Sequence, residues 1–454
     1  MNQIRTMMEG LEAGRVSSQQ LVEESLEAIS DTSREGRRAF LGVSASVARA
    51  AAAGFDHMRA NGVAVPPFAG IPLAIKDLFD VRGEVTTAGS TVLANAAPAA
   101  SDAPSIGRLR RSGFIPIGRT HMTEFAYSGL GLNSHYDTPA STWDRATRRI
   151  PGGSSSGSAV AVGDNLVPVA LGTDTGGSCR IPAAFNGIVG YKPTASRVPT
   201  TGVFPLARSL DSVGPLASSV DCCAIVDDLL TGGNGDVDHH HRPANRIRLG
   251  LVVDYVMDDV DEVVAKRFES GIRKLNAQGV DVVEVGFVEL ARIAELNRNG
   301  GLVQAQAWAV HRSMLKRHGD HYDQRVRNRI EPGANMSAAD YLDIVDGRAE
   351  LIEIARRRLD GLDAFVFPTV AVVAPPIASF DRSDADYYSR TNLMCLRNTT
   401  VTNFLDGCAI SIPLCAPGQP EVGMQLMASA AADHQLLAVA RTVESLLDSH
   451  PSAP

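Results

Sequence analysis

Residues 167–178 read VPVALGTDTGGS, an apolar run passing into a glycine-rich loop. Its first five residues form a short, almost wholly apolar run, the mark of a buried strand. The remainder is a glycine- and threonine-rich loop that ends at Ser178. Glycines ahead of a serine let consecutive N–H groups turn to one side, as an oxyanion hole requires. Working outward, similar apolar runs occupy 71–75, 114–117, 247–253, 280–285, 364–367 and 409–412. Helical patterns lie between them, such as Val264, Phe268, Ile272 and Leu275 on one stripe. At the N-terminus Ser17 and Gln20 fit a capping box, Val22, Leu26 and Ile29 follow as an apolar stripe, and 44–60 is an alanine-rich helix. Strands alternating with helices imply a layered α/β protein. No repeat of 20–50 residues is visible, which excludes a solenoid. A polar, glycine-rich stretch at 232–242 reads as an exposed connection.

Composition narrows the function. The chain has 454 residues, 44% hydrophobic and 21% charged, as in ordinary globular proteins. A formal net charge of −8 argues against a nucleic-acid partner, which needs a concentrated basic surface. Six cysteines occur without any CxxC pair, so neither a zinc site nor a thioredoxin-type site is expected, and buried free thiols are. Residues 1–29 carry acidic side chains and no continuous apolar core, unlike a signal peptide. No apolar run reaches the ~18 residues of a membrane span, and the best, 364–374, is broken by Pro368. A cytoplasmic enzyme without membrane association is expected.

Three segments could carry chemistry. Of 43 basic residues only five are lysine, at 76, 192, 266, 274 and 316. Lys76, at the end of an apolar strand, therefore stands out, because a desolvated lysine can lose its proton whereas arginine cannot. Pairing with Asp77 or Asp80 is the structural alternative. Residues 150–158, IPGGSSSGS, form a second glycine–serine loop leading into an apolar helical stretch, read here as a strand-to-helix turn. Ser178 follows Ser154 by 24 residues. Each loop alone would pass for a linker.

Together these segments resemble the amidase signature family. The resemblance rests on GIPLAIKD around Lys76, PGGSSSGSA at 151–159, and LGTDTGGSCRIPAAFNGIVGYKPT at 171–194. SLDSVGPLASSV at 209–220 and EVGMQLMA at 421–428 support it. It implies a single domain with a twisted mixed β-sheet sandwiched between layers of α-helices, its signature core at about 66–220 and a variable, substrate-shaping region at about 232–400. It further implies that Ser178 is the nucleophile, Ser154 the bridging serine after a cis peptide bond from Gly153, and Lys76 the base. The N–H groups of Thr175, Gly176, Gly177 and Ser178 would form the oxyanion hole, while Asp174 and Arg180 brace the loop. Tyr127 and Ser128 match a segment lining the acyl pocket, and Trp308, His311, Tyr388 and Arg397 are expected on its other wall. The implied reaction is hydrolysis of a small carboxamide, with no metal and no cofactor. The partner is a small-molecule amide, with a homodimer as the assembly considered.

Rival patterns exist. Residues 153–157 also fit G-x-S-x-G with Ser155 at the centre, but no late acid and histidine follow in suitable loops. Ser313 and Lys316 match S-x-x-K without its partner elements. His239, His240 and His241 are adjacent and read as a solvated loop rather than a metal site. Cys179 reads as a small packed side chain beside Ser178. Glutaminase subunits of tRNA-dependent amidotransferases share the family chemistry. Against that reading stands the middle section, 232–350, for which no match to that subunit is evident. Hydrolysis of urea-like amides is a further alternative.

Overall fold

The structure is a computed structural model, and it describes residues 3–237, 241–380, 385–414 and 418–448. Eleven strands form one mixed sheet: β1 (Phe40–Val43), β2 (Pro72–Lys76), β3 (Ile115–Thr120), β4 (Val169–Asp174), β5 (Val189–Lys192), β6 (Ser212–Ala217), β7 (Arg248–Val252), β8 (Asp281–Val285), β9 (Ala364–Pro368), β10 (Cys408–Pro413) and β11 (Gly423–Ala428). Their order is β1-β3-β2-β4-β6-β5-β10-β11-β9-β7-β8. The segment from β3 through β2 to β4 is parallel, the middle of the sheet is antiparallel, and β9, β7 and β8 are again parallel.

Both faces are covered, as side-chain alternation along the central strands shows. In β4, Val169 and Leu171 join a core with the helices Val220–Thr231, Glu262–Ala277 and Asp433–Asp448, while Ala170 faces the helices Ser18–Ser30, Ala45–Ala60 and Ser156–Gly163. The same switch occurs in β10 between Ile410 and Ala409. The result is the layered mixed α/β sandwich expected. The expected stripe Val264, Phe268, Ile272 and Leu275 is the buried face of its helix, and the Ser17–Gln20 capping box forms.

Four strands were not legible as apolar runs: β1, β5, β6 and β11. Strand β6 reads SVGPLA, with little intrinsic preference for a strand. Its Gly214 is required by crowding, since a Cβ there would lie 2.1 Å from the Tyr191 carbonyl oxygen of β5. One local expectation is corrected. No sheet strand precedes the first serine loop; instead Ile150 is held by its N–H to the Pro375 carbonyl at 2.9 Å. Gly232 to Val237 is largely exposed, as expected of a connection, whereas His239 and His240 lie outside the described residues and His241 is exposed.

A buried ion pair ties the layers together. Asp174 ends β4, and Arg180 starts the short helix Arg180–Phe185; both are fully buried. Arg180 donates to Asp174 through Nε (3.0 Å) and Nη2 (2.8 Å). Its other N–H groups reach the Thr399 carbonyl (3.0 Å), Gln425 Oε1 (2.6 Å) and Asn403 Oδ1 (2.6 Å). All five guanidinium donors are thus used, which is what makes burial of the charge tolerable. Burial by itself would raise the Asp174 carboxyl, but Arg180, Lys192 and Asn403 outweigh it and hold it at about 2.

Arg180→Met leaves the Asp174 carboxylate buried and unpaired, and should cost about 3–5 kcal/mol. A urea titration followed by circular dichroism measures this, and an unchanged midpoint would contradict the assignment. Gly214→Ala should push β6 from β5 and cost ~1–3 kcal/mol in the same assay.

Candidate active site

Strands β2 and β4 are parallel neighbours, with Ile75 paired to Leu171. Their C-terminal ends therefore lie side by side, at the sheet edge where α/β proteins place ligand sites. Lys76 ends one strand, and Thr173 and Asp174 end the other. The Lys76 side chain is fully buried, with Nζ 2.8 Å from Ser154 Oγ and 2.9 Å from Thr173 Oγ1. Burial lowers its ammonium to about 7, against the opposing pull of Asp174 and Asp211. Asp77 is not its partner; that carboxylate accepts from Arg119 Nε at 2.5 Å.

The serine run is sorted by its surroundings. Ser154 follows a cis peptide bond from Gly153 and is the serine that meets Lys76. Ser155 Oγ donates to the Thr173 carbonyl at 3.4 Å. Ser156 Oγ lies 2.8 Å from His121 Nδ1, and burial lowers that imidazole to about 3, so it stays neutral. Ser158 Oγ donates to the Leu171 carbonyl at 3.1 Å. The helix Ser156–Gly163 begins here and is buried on nearly all sides, consistent with its apolar sequence.

The second loop is pinned to the first, because the Ser155 N–H donates to the Ser178 carbonyl at 3.3 Å. Ser178 itself is buried, 5% exposed. Asp174 shapes the turn by accepting from the N–H groups of Gly177 (2.9 Å) and Cys179 (3.1 Å). The Gly177 N–H, expected in the oxyanion hole, is therefore engaged by the loop itself. Gly177 has φ 132°, and a Cβ there would strike Thr399 Oγ1 at 2.1 Å. Thr399 Oγ1 in turn donates to the Gly176 carbonyl at 2.7 Å, and Thr175 Oγ1 donates to Asp211 Oδ1 at 2.6 Å. Cys179 is wholly buried and burial pushes its thiol far up, in keeping with a packed side chain. Among the described residues, no group of three or more His, Cys, Asp or Glu is placed to hold a metal ion.

Tyr127 and Ser128, expected to line the acyl pocket, lie on a segment packed against the first serine loop. The Gly153 N–H donates to the Gly129 carbonyl at 2.8 Å, so their segment lies directly against the chain entering Ser154. Ser128 Oγ donates to Asn392 Oδ1 (2.9 Å) and accepts from the Tyr388 hydroxyl (2.9 Å). Of the residues expected on the facing wall, Tyr388 thus joins Ser128. His311 packs edge-on against Phe125 at 4.5 Å and lies 3.0 Å from the Tyr322 hydroxyl. Arg397 does not join them; it donates to the carbonyls of Val256 (3.1 Å) and Asp258. Trp308 packs at the turn around Gly333.

Several supporting residues lie beyond the expected set. Thr173, Asp211 and Gln425 lie inside the quoted motifs, where adjacency was the available signal. Thr399, Asn392 and Asn403 lie on the helix Ala385–Phe404, where only Tyr388 and Arg397 had been expected near the site.

Comparison with known proteins shows the family. A model of the Amidase family matches residues 20–437. The chain is 33% identical over 410 residues to the 2-amino-5-chloromuconic acid deaminase of Comamonas testosteroni, covering 88% of this chain and 86% of that protein. It is 32% identical to a glutamyl-tRNA(Gln) amidotransferase subunit of Chromohalobacter salexigens, covering 98% and 96%. That match extends through the middle section, contrary to the expectation from sequence. A crystal structure of an amidase superposes with a TM-score of 0.88 at 30% identity, over 97% of this chain and 99% of that one. The chain belongs to the amidase family and is a hydrolase acting on amide C–N bonds.

Proposed function

We propose that the protein hydrolyses a small carboxamide through an acyl-enzyme on Ser178, with Ser154 and a neutral Lys76 relaying the proton. The observation that carries this reading is the buried contact of 2.8 Å between Lys76 Nζ and Ser154 Oγ. A serine hydroxyl is a weak nucleophile until a base takes its proton, and a lysine can serve only when burial brings its pKa near the working pH. At about 7, Lys76 meets that condition. As a neutral amine it accepts from the Ser154 hydroxyl while donating to Thr173.

The reaction then proceeds in two halves. Ser178 Oγ attacks the carbonyl carbon, and its proton passes through Ser154 to Lys76. The N–H groups of Thr175, Gly176 and Ser178 receive the developing oxyanion, whereas Gly177 serves the loop because its N–H donates to Asp174. Collapse breaks the C–N bond, and the proton returns through Ser154 to the departing nitrogen. Water then attacks the Ser178 ester, giving the carboxylate and freeing the serine.

A second reading, the glutaminase subunit of an amidotransferase, draws support from the 32% identity to such a protein over 98% of this chain. It uses the same residues and differs in needing a partner. Ammonia release from glutamine, with and without the other subunits of such an amidotransferase, separates the two readings.

Ser178→Ala should abolish ammonia release from any carboxamide, and Ser154→Ala or Lys76→Ala should lower kcat/KM by about 10²–10⁴. Ser155→Ala and Ser156→Ala, whose hydroxyls have other partners, should stay within roughly tenfold of the parent (about 1.4 kcal/mol). Loss of activity in Ser155→Ala alone would instead favour an esterase-type elbow. The pH profile supplies an independent check. Lys76 must be deprotonated, so kcat/KM should rise with pH through a single ionisation near 7 and level off above it. A flat profile from pH 5 to 9 would remove Lys76 as the base.

A further inference from the structure

Leu342 and Val345 are large apolar side chains left in the open. They are 58% and 39% exposed and lie one turn apart on the helix Ala338–Arg358. Residues three and four apart share a helix face. At that spacing Ala338, Leu342, Val345, Ala349 and Ile352 form one stripe, in which Ile352 alone is partly covered. Alternating steps of four and three residues are those of a seam that pairs with another helix. The opposite face is already used. Ile344, Gly347, Leu351 and Ala355 are buried there. On its flank the Tyr341 hydroxyl accepts from Gln306 Nε2 at 3.0 Å, and Arg348 Nε donates to the Phe404 carbonyl at 2.8 Å. The helix is thus held firmly from one side while being apolar on two.

Charge along this helix is divided by halves. Residues 338–347 carry Asp340, Asp343 and Asp346 and no basic side chain, whereas 348–358 carry Arg348, Arg356, Arg357 and Arg358 against Glu350 and Glu353. Part of this charge is engaged within the chain: Glu350 with Arg292 (2.8 Å), Arg356 with Glu353 (3.1 Å) and Arg358 with Glu289 (2.8 Å). Asp343, Asp346 and Arg357 are exposed and have no ion pair among the described residues. An acidic first half and a basic second half repel their like in a parallel pair and meet their opposites in an antiparallel one. A closed pair of identical chains requires such a self-complementary surface, with residue i meeting j and j meeting i. This single helix supplies both the apolar seam and the complementary halves.

We propose that the exposed stripe of the helix Ala338–Arg358 is a dimer interface, on which a second copy of this chain lays the same helix antiparallel across a twofold axis. Leu342 and Val345 bury their side chains against the copy, and the acidic half of each helix lies against the basic half of the other. The charges set direction and register more than strength. A helix of this length offers a face about 30 Å long. Contact along one such face falls at the low end of specific interfaces, so the dimer is weak and depends on concentration.

Sedimentation equilibrium of the full chain tests this, with Leu342→Asp, Asp343→Arg, Arg357→Asp and the double variant Asp343→Arg/Arg357→Asp. The parent should pass from monomer to dimer over the micromolar range. Leu342→Asp should weaken association roughly tenfold or more. Each single charge reversal sets like charges together and should weaken it by roughly 3–10-fold, and the double reversal should recover most of that loss. All four positions are exposed, so thermal unfolding followed by circular dichroism should match the parent and separates lost association from lost folding. A parent that stays monomeric up to roughly 100 µM overturns the proposal and leaves the stripe to a partner of another sequence. A dimer unaffected by Leu342→Asp overturns it by placing the interface elsewhere. A double reversal no better than the single ones overturns the antiparallel pairing.

Discussion

The Asp174–Arg180 pair is the constraint on which the rest of the site depends. A charge pair with both partners fully buried is stable only when every remaining donor and lone pair is used. Here that requirement recruits the Ser178 loop, the helix Ala385–Phe404 and strand β11 to one point, through Thr399, Asn403 and Gln425. The same carboxylate takes the Gly177 and Cys179 N–H groups and so sets the path of the loop. Polar residues such as Gln425 sit inside an otherwise apolar strand because the arginine needs them there. Their burial would be destabilising without it.

Lys76 shows the opposite use of burial. It has no carboxylate in contact, only two hydroxyls, and desolvation therefore outweighs the more distant pull of Asp174 and Asp211. The parallel pairing of β2 with β4 is what brings Thr173 beside it. Side-chain packing then sorts the neighbouring serines, since Ser155, Ser156 and Ser158 each have a partner other than the lysine. In a loop of four serines, identity comes from these partners rather than from the order of letters.

The helix Ala385–Phe404 touches both the Ser178 loop and the Ser128 segment. Thr399 holds the Gly176 carbonyl, and one face further along, Asn392 and Tyr388 hold Ser128. A rigid element in contact with both the proposed oxyanion loop and the proposed acyl wall keeps their separation fixed. Positioning of this kind is a large part of how enzymes lower barriers, because a reacting carbonyl must meet nucleophile and N–H donors together.

Much of this was legible before any fold was known. Apolar runs marked seven of the eleven strands, the lysine stood out against a background of arginine, and the two glycine–serine loops marked the turns. These are local signals, carried by residues close in sequence. Strands β6 and β11 escaped because their glycine, proline and glutamine answer to neighbours across the sheet. The engagement of the Gly177 N–H and the supports from Thr399 and Asn403 were likewise invisible. Each depends on which distant segment arrives at the two serine loops and which donors it engages. Sequence alone thus determined the residue types and the turns, and through the family resemblance the class of bond; tertiary structure decided their partners, because burial and hydrogen-bond satisfaction are settled only when the layers close.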